Sequence, residues 1–487
     1  MKRSVLAVFL ALAILGSAAC GASEQAQNSS VSDVSVSDTK QSTKSQMTTS
    51  TGEPTESSTS TTSTTSTKPS STTSSTTKVT TTTTKTTEPP SVDITWEKPK
   101  TSNTSNQYAS YIDYRTPLTN SYNKLTKENK LTVAYIGGSV TNGSGALNME
   151  TDSWRGLTGQ WLNRTFPKAD ITNINAAIGA TGSMLGLFRL DKDVVKYKPD
   201  LLFVEFAIND EYYGNIVQAR ASFETLIREA RQKMPYCDIV VLITSDQARV
   251  KQYYGKSGAP HQIGRAHMEI AEAYGISVIN IADAFVKEVG EITGNNQWYN
   301  DNTLWRSYVT DGVHPNTAGY ALWFNYVKEY LENSLLHTDY SGYNRTARKV
   351  PAVQNYYLID GERKAFFGEE IEKLIVSSDG DFVQDTSSRG NDYLALDKGE
   401  SVTLKFTGTQ CAIWVSYDNV DFNIQCTVDG KEANVVSGTY ADPYFLVSGL
   451  KAGEHTITIT HAPNSRRTTF GICGFFMRDE NKQTTSY

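Results

Sequence analysis

Between Leu131 and Leu336 the chain alternates apolar runs of strand length with amphipathic stretches of helix length, and no other feature restricts its fold as much. The runs are "LTVAYIGG", "DLLFVEFAIND", "DIVVLITSD" and "ISVINIAD", with "ITNINAAIG" reading as an edge strand. Between the second and third, "NIVQARASFETLIREARQKMP" places Ile216, Ala219, Phe223, Ile227, Ala230 and Met234 near one helical face before Pro235 ends it. Strands separated in this way by helices predict a doubly wound, mostly parallel sheet. Its ligand crevice lies beyond the carboxyl ends of the strands.

The sequence ahead of this region does not belong to the fold. "MKR", the apolar "SVLAVFLALAIL" and the small "GSAAC" have the three parts of a secretory signal over residues 1–22, with an apolar core too short for a permanent span. Ser17-Ala18-Ala19-Cys20 resembles a bacterial lipobox, although Ser17 stands where a branched aliphatic is usual. The expectation is an exported bacterial protein, anchored at the cell surface through a lipid on Cys20 or cleaved and secreted. Residues 23–92 collapse to Ser and Thr, cannot bury enough surface to offset their ordering entropy, and read as a disordered tether. No later segment is apolar for long enough to cross a membrane, so Cys20 is the one expected membrane attachment. A net charge of −6 without a basic stripe argues against nucleic acid as a partner.

The crevice rule gives meaning to the strand ends. "VAYIGGSVTNGSGA" pushes Ser139 out of the first strand between glycines and small polar residues. "VEFAIND" leaves Asn209 and Asp210 just past an interior strand, and "TDGVHPNTAGY" puts Asp311 and His314 three apart on the loop before the last helix. A serine hydroxyl is a poor nucleophile at neutral pH and needs an imidazole to take its proton, while a carboxylate holds that imidazole in the right tautomer. His314 is the histidine with an acidic residue three positions before it on such a loop.

Four blocks in order, "IGGSVTNG", "NAAIGATGS", "VEFAIND" and "DGVHPN", resemble the SGNH hydrolases of the GDSL superfamily across Lys130 to Leu336. The resemblance implies a flavodoxin-like, three-layer α/β domain, bounded here at about 105–338, that needs no metal or cofactor. It further implies Ser139 as nucleophile, His314 as general base and Asp311 as its orienting carboxylate. The oxyanion hole would comprise the Ser139 backbone N–H, the Gly179 N–H and the Asn209 side-chain amide, with Gly182 the alternative glycine of the second block. Two positions depart from the pattern: Gly138 replaces the usual Asp before the nucleophile, and Ala207 stands where the third block often has Gly.

Other chemistry-bearing residues read as structural. His261 and His267 frame a helix start, His455 and His461 lie on the strand "GEHTITITH", and no His, Cys or carboxylate cluster has metal-ligand spacing. Trp154 reads as core packing, with lining of the pocket as the alternative. Cys237, Cys411, Cys426 and Cys473 are expected to be mainly reduced and buried, with one bridge possible.

From about Tyr343 to residue 480 short alternating strands such as "ESVTLKFTG", "CAIWVSYD" and "EHTITITH" predict an all-β sandwich of jelly-roll type. It resembles the sandwich modules attached to carbohydrate-active esterases, in which Trp414, Tyr417, Tyr440 and Tyr444 could form a sugar platform. Since the four blocks precede it, the sandwich is expected to be dispensable for hydrolysis of a small ester. Together these features predict an exported serine esterase that removes short acyl groups, O-acetyl first, from an acetylated polysaccharide or oligosaccharide partner such as plant-wall xylan or mannan. A peptidoglycan O-acetyl esterase and a lipid-directed acyl hydrolase are alternatives within the class, and a carbohydrate-binding surface protein is one outside it.

Overall fold

The computed structural model describes residues 111–254, 260–293, 305–340, 342–352, 362–384, 391–416, 421–438 and 443–479. The signal-like N-terminus with Cys20, the Ser/Thr-rich stretch, Tyr417 and Tyr440 lie outside the described residues.

Strands β1 (Ile112–Asp113), β2 (Lys130–Gly137), β3 (Asp170–Ala177), β4 (Leu201–Glu205), β5 (Asp238–Ile243) and β6 (Ser277–Asn280) form one sheet in the order β1-β6-β5-β4-β2-β3. β1 is antiparallel to β6 and the remaining pairs are parallel. The five parallel strands, counted along the chain, follow the flavodoxin-like order, whose switch point lies between β2 and β4. The expected doubly wound sheet is present, with β3 at its edge. β1 was not expected, because two residues are too few to show a periodicity.

The side-chain alternation along each strand sorts the core into two layers. Val133, Tyr135, Leu201, Phe203, Val240 and Leu242 face one side, against the helices Trp154–Thr165 and Thr317–Leu335. Ala134, Ile136, Leu202, Val204, Ile239 and Val241 face the other, against the helices Ser183–Asp193, Ile216–Lys233 and Gln262–Ala273.

Two antiparallel sheets follow. One has the order β15-β12-β17-β10-β9 with β7 also paired to β17, and the other β14-β13-β16-β11-β8. The strands are β7 (Glu362–Phe367), β8 (Ile375–Ser378), β9 (Asp381–Val383), β10 (Tyr393–Asp397), β11 (Ser401–Gly408), β12 (Gln410–Val415), β13 (Phe422–Val428), β14 (Lys431–Gly438), β15 (Tyr444–Val447), β16 (Gly453–His461) and β17 (Thr469–Asp479). Their facing side chains, among them Leu404, Ile413, Ile424, Ile459 and Phe475, make a third core. This is the expected β-sandwich.

The sandwich is not a loose appendage. Ala412, Trp414, Cys473 and Phe476 point away from its own core and join the second hydrolase layer, where Phe476 stacks on Phe188. Arg363 of β7 forms an ion pair with Glu229 of the helix Ile216–Lys233, and Arg228 donates to the Pro351 carbonyl at 2.6 Å. The connecting segment is laced to the sheet as well. Arg345 meets Asp200 at 3.4 Å and Arg348 meets Asp238 at 2.5 Å, both at the amino-terminal edge of the strands, opposite the crevice. Trp414 is therefore core, only 4% exposed, and Tyr444 packs edge-on against Phe422. Cys237, Cys411, Cys426 and Cys473 are buried and none forms a disulfide among the described residues.

Candidate active site

β2 ends on Gly137, and the chain turns at once into the single helical turn Ser139–Asn142, closed by Gly143 at φ +101°. The two glycines before Ser139 are required by close approach. A Cβ at Gly137 would overlap Thr141 Oγ1 and lie 2.5 Å from the Glu205 carbonyl, and one at Gly138 would overlap Asn209 Oδ1. As the side chains stand here, Asn209 Oδ1 fills the space that a side chain at 138 would enter. Trp154 sits beneath the turn, fully buried, and its indole N–H donates to the Val140 carbonyl at 3.1 Å. It is a core residue that supports the turn, not a pocket wall.

Asp311 and His314 reach Ser139 from the loop before the helix Thr317–Leu335. Asp311 Oδ1 accepts the backbone N–H groups of Val313 (2.9 Å) and His314 (2.8 Å), and Oδ2 lies 2.6 Å from His314 Nδ1. His314 Nε2 is 2.8 Å from Ser139 Oγ. The loop is fastened by the Gln247 N–H, which donates to the Gly312 carbonyl at 2.9 Å, and by Gly145, where a Cβ would stand 3.0 Å from His314 Cβ. Partial burial works to raise the Asp311 carboxyl, but its hydrogen bonds from His314 and Val313 outweigh this and hold it well below the usual carboxylate range. An ionised Asp311 accepts the hydrogen bond from Nδ1–H, which keeps that proton on Nδ1 and leaves Nε2 as the acceptor for the serine hydroxyl.

The second block contributes a tight turn. Ile178 N–H donates to the Gly137 carbonyl at 3.1 Å, and Ala180 is held at φ +59°, an unusual conformation for alanine, with Tyr213 OH donating to its carbonyl. Gly179 faces Ser139, since a Cβ there would stand 3.5 Å from the serine Cβ. Gly182 faces elsewhere, against Asp210 Oδ1 and Tyr213. Asn209 is three residues into the helix Ala207–Tyr213 after β4, and its Oδ1 is buried against Gly138 without a hydrogen-bond partner among the described residues. Ser139, Gly179 and Asn209 thus lie around one point, at the switch between β2 and β4.

The five remaining histidines lie apart from Ser139, His337 standing 3.2 Å from Asn333 Oδ1. His267 is fully buried, 3.1 Å from Asp210 Oδ2 and stacked on Phe223. His261 is buried and caps its helix by accepting the Ile263 N–H. His455 bonds to Asp429 and the Lys451 carbonyl, and His461 to the Leu396 carbonyl. Among the described residues no group of three or more His, Cys, Asp or Glu is placed to hold a metal ion.

Sequence reading missed two buried charges beside the nucleophile, Glu205 at the end of β4 and Arg189 in the helix Ser183–Asp193. The available signal was a charged residue inside an apolar run, in "LLFVEFAI" and in "MLGLFRL".

Comparison with known proteins agrees with this architecture. Residues 135–322 match the family described as GDSL-like Lipase/Acylhydrolase. Residues 392–485 match the family described as Carbohydrate esterase 2 N-terminal, so a module named for the front of its family stands behind the hydrolase domain here. Among solved structures, a two-domain esterase active on acetylated mannans superposes with a TM-score of 0.60 at 22% identity, covering 77% of this chain and 99% of that one. The same kind of esterase co-crystallized with mannopentaose gives 0.59 at 21% identity, with the same coverage. The acetylxylan esterase Axe2 from Geobacillus stearothermophilus covers 45% of this chain and 97% of its own at 18% identity, with a TM-score of 0.34. No curated protein matches the chain. The chain accordingly carries a GDSL-like lipase/acylhydrolase domain followed by a module of the carbohydrate esterase 2 N-terminal kind, and is a carboxylic ester hydrolase.

Proposed function

We propose that the protein is a serine esterase that removes acetyl groups from a polysaccharide, mannan or xylan first, through an acyl-enzyme. The observation that carries the chemistry is the unbroken chain from Ser139 Oγ through His314 to Asp311, with contacts of 2.8 Å and 2.6 Å. Ser139 Oγ bonds to the acetyl carbon while its proton passes to His314 Nε2. The bond to the sugar oxygen then breaks, and that oxygen leaves with the proton from Nε2. A water repeats the sequence and frees acetate. The imidazolium formed in each half is stabilised by Asp311. The oxyanion is held by the Ser139 and Gly179 N–H groups and by the Asn209 amide, whose oxygen end is turned into Gly138.

The carbohydrate substrate is supported by the esterase-type module at residues 392–485 and by a fold shared with a two-domain esterase active on acetylated mannans. The exported location, with a lipid on Cys20 and residues 23–92 as tether, rests on the N-terminal sequence. The deciding experiment measures acetate release from acetylated mannan, xylan, pectin and peptidoglycan, beside a series of p-nitrophenyl esters of increasing chain length. Release from mannan or xylan with acetyl the fastest ester supports the reading. Release from peptidoglycan alone moves the target to the bacterial wall, and a rate that climbs with chain length makes the enzyme a lipid hydrolase.

A further inference from the structure

We propose that Glu205 and Arg189 are positioning residues that hold the turn on the two sides of Ser139, Arg189 at the Gly137 carbonyl and Glu205 at the Thr141 hydroxyl, and so fix the direction of the Ser139 side chain and N–H. The proposal rests on the reading of Ser139 as nucleophile. The Gly137 carbonyl, two residues before Ser139, accepts from Arg189 Nη2 at 3.2 Å and from the Ile178 N–H at 3.1 Å, and Thr141 Oγ1, two residues after it, donates to Glu205 at 2.9 Å.

The need for such a clamp follows from the residues. Two successive glycines are demanded here by Thr141, β4 and Asn209, and glycine is the residue with the least conformational restraint of its own. The serine therefore follows the most permissive dipeptide the chain can offer. Glu205 and Arg189 restore the order that the glycines cannot supply. Glu205 is fully buried and accepts from Thr141 Oγ1 at 2.9 Å, two residues past the nucleophile, and from Thr244 Oγ1 at 2.5 Å, just beyond β5. It thus grips the turn just past Ser139 and ties it to the neighbouring strand end.

Arg189 is 1% exposed, donates also to the Ala176 carbonyl at the end of β3, and pairs with Asp193 at 3.0 Å. Burying a carboxylate and a guanidinium costs several kcal/mol each before their contacts offset it, and apolar residues of similar volume usually serve stability as well. What apolar residues cannot do is bond to the Gly137 carbonyl and the Thr141 hydroxyl. The partners of this pair are the strand ends and the turn that carry Ser139, Gly179 and Asn209.

The test compares Glu205→Gln, Arg189→Lys, Arg189→Met, Thr141→Val and Thr244→Val in the full chain. It uses p-nitrophenyl acetate turnover, the rate of Ser139 labelling by a fluorophosphonate probe, and thermal melting. A displaced reacting group costs up to roughly 100-fold in rate. Glu205→Gln and Arg189→Met should lose roughly 10- to 100-fold in kcat and in labelling rate, with KM within about twofold of wild type. Arg189→Lys, which keeps the charge, should recover part of the loss, and Thr141→Val should lose more than Thr244→Val, which leaves the turn untouched. Folded variants with wild-type kcat and labelling overturn the proposal, as does a loss that tracks the unfolded fraction at every position. If Glu205→Gln does not fold, the two threonine variants and Arg189→Lys decide. Failure of the underlying reading is separate: the wild-type enzyme would then resist the probe, or Ser139→Ala would retain turnover.

Discussion

Phe188, in the helix that follows the Gly179 turn, stacks on Phe476 of the sandwich with ring centroids 4.3 Å apart and planes 10° from parallel. With Trp414, Ala412 and Cys473 this contact continues the hydrolase core into the second module. The sequence expectation that the sandwich could be removed without harm to small-ester hydrolysis is thereby revised. Truncation after about Leu336 should leave a chain that is poorly soluble and has lost p-nitrophenyl acetate turnover. Phe476→Ala should lower the stability of the full chain by about 3 to 5 kcal/mol in denaturant melts. A truncated chain with wild-type turnover would show that the modules fold independently.

Ser139→Ala should abolish acetate release while leaving the circular dichroism spectrum unchanged, since no other hydroxyl bonds to His314 Nε2 among the described residues. Asp311→Asn should leave the loop folded but lower kcat by roughly 10³- to 10⁴-fold, because an amide donates to Nδ1 and selects the wrong tautomer. A loss below about tenfold would mean that the carboxylate only shapes the loop.

Asn209→Ala should lower kcat by roughly 10²- to 10³-fold with little change in KM. Gly138→Ala should do nearly the same by a different route, because its Cβ would occupy the place of Asn209 Oδ1 and push the amide away. Combining the two should cost little more than either alone, since both remove one donor. Additive losses in that double mutant would separate Gly138 from the amide.

From about pH 6.5 to pH 8 the stability of the protein should fall as pH rises. Burial pushes Glu205 up to about 7 against the hydrogen bonds from Thr244 and Thr141, and pushes Glu211 up to about 8 against its bond from Ser245. In the unfolded chain both are ionised throughout this range, so the folded state holds more protons and each pH increment favours unfolding. His455 acts in the same direction, its pKa being raised by Asp429 and the Lys451 carbonyl against the effect of burial. His261, lowered to about 4 by burial, is neutral in both states above the ordinary histidine range and adds no slope there. Glu211→Gln should flatten the upper part of the melting temperature against pH. A slope unchanged in that variant would remove Glu211 as its source.

The Ser139–His314–Asp311 arrangement and the parallel sheet were legible because both leave local marks. Buried strands of a parallel sheet are apolar throughout, and the four blocks lie where such strands end. The same logic explains one misreading: β12 reads "QCAIWV" and β17 "TFGICGFFMRD", apolar on both faces, whereas a sandwich strand with one face in water alternates. Ile413 and Phe475 fill the sandwich, and Trp414 and Phe476 fill the hydrolase layer. The second burial was written in these strands, but its partner was not.

What the sequence determines by itself is therefore whatever depends on near neighbours: which runs are strands, which residues end them, and the Asp-x-x-His spacing that lets one carboxylate hold one imidazole. What the tertiary structure decides is which distant groups share a space. Gly138 lies against Asn209 from another strand end, Gly179 and Gly182 face different partners although three residues apart, and Glu205 and Arg189 meet Thr141 and Gly137, far from them in the chain. Contacts of that kind arise only when packed layers bring strand ends together. A charge buried by such packing leaves no trace of its partner in its own segment.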